Sequence, residues 1–309
     1  MRNDFVKQTL EEMGRNESII FLTADLGFKA LEPIREAFPE RFVNVGVAEQ
    51  NMISIAAGLA IEGKRVITYS IAPFAVFRPF EQIRLDICYH NLDVKIIGTG
   101  GGFNYPNHGV SHHSIEDLGI LATLPNMTVV CPAYSWEARE ATKTLLNFSG
   151  PAYLRLGKSP GINYQKNDWK FQIGKGYQVR PGEKIVIFVS GNILDLVEKT
   201  AKLIEKKTEM RVGIISMPSI KPFDKKLIKK VASRALLVAS VEEHVAQGGL
   251  GAGIAQVMAH ERLSPIFLTF CLPDKFIKAV GDREYLLRQA GISPEAIAQK
   301  LLKVIKKQK

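Results

Sequence analysis

The chain has 309 residues, is 46% hydrophobic and has a mean hydropathy near zero. Those values describe a globular protein with room for about two domains of ~150 residues, and no apolar run reaches the ~20 residues that a bilayer span needs. The formal net charge is +10, much of it in the stretches DKKLIKK (224–230) and KVIKKQK at the end; lysine-rich helix faces are ordinarily solvated, and no interleaved aromatics mark a nucleic-acid surface.

The opening stretch MRNDFVKQTLEEMG has no apolar core, so a secretory leader is not expected there. Cys88, Cys131 and Cys271 stand singly without metal-ligand spacing, as expected of reduced thiols in a cytoplasmic protein. Strands are expected at 18–24, 42–45, 65–70, 94–100, 128–132 and 152–156, and helices between them at 48–61, 78–90, 115–123 and 135–147. The strands are continuous apolar runs, the pattern of a parallel sheet covered by helices on both faces. Pro125 and Asn126 stop one helix before its next strand. The polar, Gly- and Pro-punctuated segment 157–184 breaks the alternation and reads as a linker partly extended over the surface. Strands then resume at 185–190, 211–217, 235–242 and 266–270, with helices at 192–206, 224–232, 249–260 and 294–306. The expected fold class is α/β, with two doubly wound sheet domains at 1–160 and 184–309 and a linker at 161–183.

Gly248, Gly249, Gly251 and Gly253 invite a dinucleotide-binding reading, but the spacing is not G-x-G-x-x-G and no acidic residue ends a following strand. A tight strand-to-helix turn with close packing explains them better.

Three features of the first domain converge on one kind of site. The first is Glu49, in VGVAEQN, just past a strand's carboxyl end, where ligands gather in α/β sheets. A desolvated carboxylate there can act as an acid or a hydrogen-bond partner near neutrality; the plainer reading is a helix-start carboxylate favoured by the helix dipole. The second is YSIAPFAVFRPFEQIR (69–84), in which Phe74, Phe77 and Phe80 recur every three residues after Ile71. That spacing suits core packing. Pro73 and Pro79 place the helix start near Arg78, which leaves Phe74 and Phe77 in the loop or helix entry, where a flat ligand could stack. The third is the loop GTGGGFNYPNHGVSHH (98–113), which holds half of the chain's six histidines. His108, His112 and His113 can donate, accept or carry charge near pH 7, but no fixed set of zinc ligands is evident. Ser114, with Glu116 and Asp117, reads as a helix cap and acidic first turn.

Together these features resemble the pyrimidine-binding domain of transketolase-type thiamine diphosphate enzymes. The resemblance covers essentially the whole chain: TADLG, FVNVGVAEQNMISIAAGLA, RPFEQIR, SHHSIEDLGILATLPNMTVVCPA and PAYLRLGK, then VEEHVAQGGLG and GISPEAIAQKLL. It is closest to the C-terminal half of transketolase as found in split, two-subunit forms. The resemblance implies that Glu49 meets the first ring nitrogen of the cofactor's aminopyrimidine and drives the tautomer that activates the thiazolium. It implies that Phe74 packs on the pyrimidine, flanked by Ile71 and Phe77. His112 matches a histidine that faces the donor's hydroxyls, and Lys158 falls where an arginine often binds substrate phosphate. Asp25 and Lys29 lie in the matching DLG segment at the substrate side.

The G-D-G…N motif that holds the cofactor's diphosphate is not found; GDRE at 281 stands late in the second domain with no asparagine after it. The expected partner is therefore an N-terminal transketolase-like subunit that supplies the diphosphate and Mg²⁺ site, in a two-plus-two heterotetramer. Three departures bear on the sugar. His108 replaces an aspartate that usually reads a hydroxyl, Gly100 stands where a phosphate-binding histidine is common, and Lys29 stands where a serine contacts phosphate. An unusual or non-phosphorylated acceptor is the expectation. The alternatives are a deoxyxylulose-phosphate-synthase-like acyloin synthase, a 2-oxo acid dehydrogenase beta subunit, and a non-catalytic partner subunit. The first normally carries its diphosphate domain on the same chain, and the second uses another histidine-loop pattern. The combination of Glu49, Phe74 and His112 argues against the third.

Overall fold

The computed structural model describes residues 1–158 and 170–307. Among these residues, strands β1 (Ile19–Thr23), β2 (Phe42–Asn44), β3 (Arg65–Ile71), β4 (Val94–Thr99), β5 (Thr128–Val130) and β6 (Ala152–Leu156) form the first sheet. The second contains β7 (Tyr177–Arg180), β8 (Ile185–Ser190), β9 (Val212–Ser216), β11 (Leu237–Val245) and β12 (Ile266–Leu272). A short strand between these, β10 (Ser219–Lys221), leaves the second domain and pairs antiparallel with β5. The orders are β10-β5-β6-β4-β3-β1-β2 and β12-β11-β8-β9-β7. Apart from β10 and the antiparallel edge strand β7, every pairing is parallel.

Parallel strands need crossovers, and the helices that supply them bury both faces of each sheet. The expected two-sheet α/β class is the observed one. Part of the linker expectation, 159–169, lies outside the described residues. Its end, Tyr177–Arg180, is the edge strand β7 rather than open chain.

Three local differences from the sequence reading have physical causes. A helix at Arg2–Arg15 stands outside the expected set; Phe5 and Val6, then Thr9 and Met13 at steps of one turn, form its buried face. The expected helix at 78–90 begins earlier. Pro73 starts a short helix at Ala72–Val76, so Phe74 is helical rather than in a loop, and Phe77 caps the end. Pro79, which has no N–H to donate, interrupts the run before the helical turns at Phe80–Gln82 and Ile83–Tyr89. Ser114 does not cap the following helix, which runs Asp117–Ala122 from Glu116; its backbone instead bridges to Gly102. The glycine-rich turn is a packing device, as expected: Gly248 has φ +74°, and a Cβ there would lie 2.8 Å from Gly119 Cα.

The two domains are fused through shared apolar clusters. A single cluster joins Leu118, Met127 and Tyr153 of the first to Phe188, Met217 and Leu250 of the second. A second joins Phe103, Ile115 and Tyr134 to the interior of the β8–β11 region. Domains fused through a common core do not rock against each other as loosely linked ones do. No described helix is long and apolar enough to cross a membrane.

Candidate active site

The first sheet places its chemistry by topology. The chain runs from β1 outward to β2, then returns to lay β3 on the other side of β1. In open α/β sheets, such a reversal leaves a crevice at the carboxyl ends of the strands. Every residue singled out from the sequence follows a carboxyl end: Asp25 and Lys29 after β1, Glu49 after β2, Ile71, Phe74 and Phe77 at or after β3, His108 and His112 after β4, and Lys158 after β6.

Glu49 opens the Glu49–Ile61 helix. Gly46, at φ +76°, turns the chain out of β2, and Ala48 precedes the first helical turn in a non-helical conformation. Met52, Ile53, Ala56 and Ala57 bury the inner face, which fixes the helix and hence the carboxylate. Glu49 is 3% exposed, and both of its oxygens accept from Arg78 Nη1, at 2.9 and 2.8 Å. A buried charge is tolerated when a direct partner meets it. The Arg78 guanidinium also lies over the Phe74 ring, 4.1 Å from its centroid, as a cation stacks on an aromatic face.

Phe74 continues the chain of contacts. Its ring meets His112 edge-on at 5.1 Å, and His112 lies 4.8 Å from His108 between ring centroids. Tyr105 touches both histidines, at 6.0 and 5.7 Å. Lys158 Nζ sits 4.1 Å over the Tyr105 ring, and its backbone N–H donates to Asn104 Oδ1 at 3.0 Å. Burial, then the neighbouring His108 and Arg78, holds the His112 imidazole below its ordinary range, so it is neutral near pH 7. Its Nδ1 lies 3.0 Å from the Ser111 hydroxyl. With Nδ1 so engaged, Nε2 is left to a sugar hydroxyl, as donor in one tautomer and as acceptor in the other.

One connected cluster therefore holds Glu49, Phe74, His112, His108 and Lys158, together with two residues that sequence reasoning missed, Arg78 and Tyr105. Both stand inside stretches the sequence marks, but the contacts that recruit them cross between different strand ends, and local spacing carries no trace of that. Ile71 is buried at the end of β3, and Phe77 is 36% exposed. Asp25 and Lys29 form a separate group. Asp25 exchanges hydrogen bonds with the Asn44 side chain, each 2.9 Å, beside a cleft of about 270 Å³. The Lys29 backbone N–H donates to Glu32 at 2.9 Å. Among the described residues, no hydrogen bond or ring contact links either to the Glu49 cluster. No group of three or more His, Cys, Asp or Glu among them is arranged to hold a metal ion.

Comparisons with known proteins bear on the two domains that carry this cluster. Residues 1–161 match the model of the transketolase pyrimidine-binding domain, and residues 174–297 match that of the transketolase C-terminal domain. The chain is 33% identical to a subunit of the apulose-4-phosphate transketolase of Actinobacillus succinogenes, over 96% of each chain. It is 32% identical to a 1-deoxy-D-xylulose-5-phosphate synthase of Geobacter sulfurreducens, covering 94% of this chain but 46% of that protein. A solved structure described as "split gene transketolase, inactive beta4 tetramer" superposes with a TM-score of 0.87 at 33% identity, covering 98% of this chain and 96% of the other. Two family domains in the family's order, over a cluster built where its sheet reverses, lead to one conclusion: the chain belongs to the transketolase family and corresponds to its C-terminal section.

Proposed function

We propose that this chain is the C-terminal subunit of a split transketolase-like enzyme that transfers a two-carbon ketol unit from a ketose to an aldehyde acceptor. The observation that carries the reading is the single contact chain of a buried carboxylate, an aromatic face and a neutral histidine: Glu49, Phe74 and His112. The donor set fits the aminopyrimidine of thiamine diphosphate: Glu49 offers a carboxyl oxygen to a ring nitrogen, and Phe74 offers a flat face, with Ile71 and Phe77 beside it. Arg78 lies on both, so a heterocycle seated there takes its place. When bound, thiamine diphosphate supplies the nucleophilic carbon through which a ketose carbon–carbon bond is broken and remade.

In this reading, Glu49 holds a proton against the pyrimidine nitrogen, in a site dry enough for that proton to be shared. His112 hydrogen-bonds the donor's hydroxyls, and His108 reads the acceptor. Lys158 offers a cation at the rim, while Asp25 and Lys29 border the route along which substrate approaches. The diphosphate and Mg²⁺ are held by an N-terminal partner subunit in a two-plus-two cytoplasmic assembly. Two relatives support a divided enzyme: one is named as a transketolase subunit, and the other is described as an inactive assembly from a split gene. The acyloin-synthase reading keeps a footing in the 32% match to a deoxyxylulose-phosphate synthase.

The test is reconstitution with an N-terminal subunit carrying the G-D-G…N motif, followed by an assay of two-carbon transfer from D-fructose 6-phosphate to a panel of aldehydes. Transfer in the mixture and none from either chain alone supports the reading. Condensation of pyruvate with an aldehyde, without ketol transfer, would replace it by the acyloin synthase.

A further inference from the structure

The second domain contributes no residue to the Glu49 cluster, yet the histidine loop is fastened to it. The carboxyl end of β11 reads Glu242-Glu243-His244-Val245 and points into that loop. Glu243 Oε1 accepts from Phe103 N–H at 3.4 Å, and Arg283 grips both oxygens of the same carboxylate, at 3.0 and 2.6 Å. Arg283 also donates to the Asn192 carbonyl, and the Asn192 amide reaches Asn104 Oδ1 at 3.3 Å. Asn104 is the residue that accepts from the Lys158 N–H.

At the base of the loop, Arg155 Nη2 donates to the carbonyls of Ser114 at 2.6 Å and Glu243 at 2.9 Å. Arg155 in turn pairs with Asp117, at 3.3 Å. Gly119 N–H donates to His244 Nε2 at 3.0 Å, and Val245 N–H to the Ile115 carbonyl at 2.9 Å. The fit is tight: a Cβ on Gly102 would lie 2.7 Å from Glu243 Cβ. Phe103, fully buried, sits in the second domain's apolar interior rather than in the first. The loop is thus stapled at Phe103–Asn104 and at Ser114–Gly119, and the unstapled span between them carries Tyr105, His108 and His112.

We infer that the carboxyl end of β11 is the anchor that sets the histidine loop, with Glu243 and Arg283 as positioning residues for His112 and His108. The inference rests on the ketol-transfer reading for its consequence, sugar affinity, and on the structure alone for the anchoring. A loop of this length, with a Gly100-Gly101-Gly102 entry, is costly to hold in one conformation unless something fixes its ends. A carboxylate clamped by a guanidinium is a rigid acceptor for that purpose, because the fork fixes both oxygens. The role assigned to the second domain is therefore to hold the sugar-facing half of the site, while the Glu49 half stands on the first domain alone.

The experiment compares wild type, Arg283→Leu and Arg283→Lys in the reconstituted complex by hydrogen–deuterium exchange and by steady-state kinetics, with D-fructose 6-phosphate as the donor probe. In Arg283→Leu, the amides of Phe103 and Ser114 should exchange tenfold faster or more, while β8 amides keep their protection. The donor KM should rise at least tenfold with the cofactor Kd unchanged, and Arg283→Lys should recover part of both. Unchanged loop exchange would overturn the anchor. Faster exchange with an unchanged donor KM, or an equal loss of cofactor affinity, would overturn the positioning role. Absence of ketol transfer in the wild-type complex would sink the functional reading instead, and loop exchange would still decide the anchor.

Discussion

The Glu49 half of the site and the histidine half are built in opposite ways. Glu49 stands at the first turn of a helix whose inner face is buried against its own sheet, and its partner Arg78 comes from the next strand end in the same domain. His112 stands in a loop whose two ends are tied to another domain more than a hundred residues away in sequence. Local secondary structure is enough to aim the carboxylate, whereas aiming the imidazole needs the whole chain. On the proposed function, the carboxylate half and the histidine half can therefore be perturbed separately.

The largest expected effect breaks the first half alone. Glu49→Ala in the reconstituted complex should lower turnover by about 10²–10⁴-fold, the usual contribution of a positioned acid or base. The melting temperature should stay close to wild type, since one polar group at a helix start is removed. Near-wild-type turnover would remove Glu49 from the chemistry.

Phe103→Ala attacks the other half from within the second domain's interior. Truncating a fully buried phenylalanine costs about 3–5 kcal/mol. Chemical denaturation should show that loss, together with a weakened donor affinity; a cost under ~1 kcal/mol would mean the loop is not seated as described.

His108→Asp replaces an imidazole by a carboxylate at an exposed point of the loop. Hydrogen bonds to charged groups are worth about 1.5–3 kcal/mol, so the ratio of rates for two acceptor sugars should move by roughly tenfold or more. An unchanged acceptor profile would place His108 outside the site.

The smallest effect sharpens the Glu49 side. The Arg78 side chain is 46% exposed, so solvent screens its pair with the 2%-exposed Glu49 side chain down toward the ~0.2–1 kcal/mol of exposed pairs. If the guanidinium must leave for the pyrimidine to enter, Arg78→Ala should tighten cofactor binding in the complex by up to about fivefold. Weaker binding would mean that Arg78 holds the cofactor rather than making way for it.

How much of this was legible in the sequence follows the same division. Apolar runs gave both sheets, and the residues after the carboxyl ends gave Glu49, Phe74 and the histidine loop, because strand, turn and helix signals are local; the choice of His112 within that loop, and Lys158, rested on the resemblance to the transketolase family. Two strands escaped: Ser219–Lys221 is three residues long, and Tyr177–Arg180 sits in a stretch dominated by glycine and proline. Ser114 looked like a cap because serine before two acids is a cap by composition; the Arg155 guanidinium on its carbonyl is a tertiary fact. Arg78, Tyr105, Glu243 and Arg283 were invisible as a set for that reason. Each is an ordinary polar residue until the fold brings it against a partner from another strand end or another domain.

On the proposed function, this chain holds half of an active site. The most direct test is calorimetric titration of thiamine diphosphate with Mg²⁺ into this chain alone and into its mixture with a G-D-G-bearing partner. A divided site requires saturable binding in the mixture and none in the single chain. Saturable binding by the single chain would contradict it, because the diphosphate and metal would then be held by residues of this chain alone.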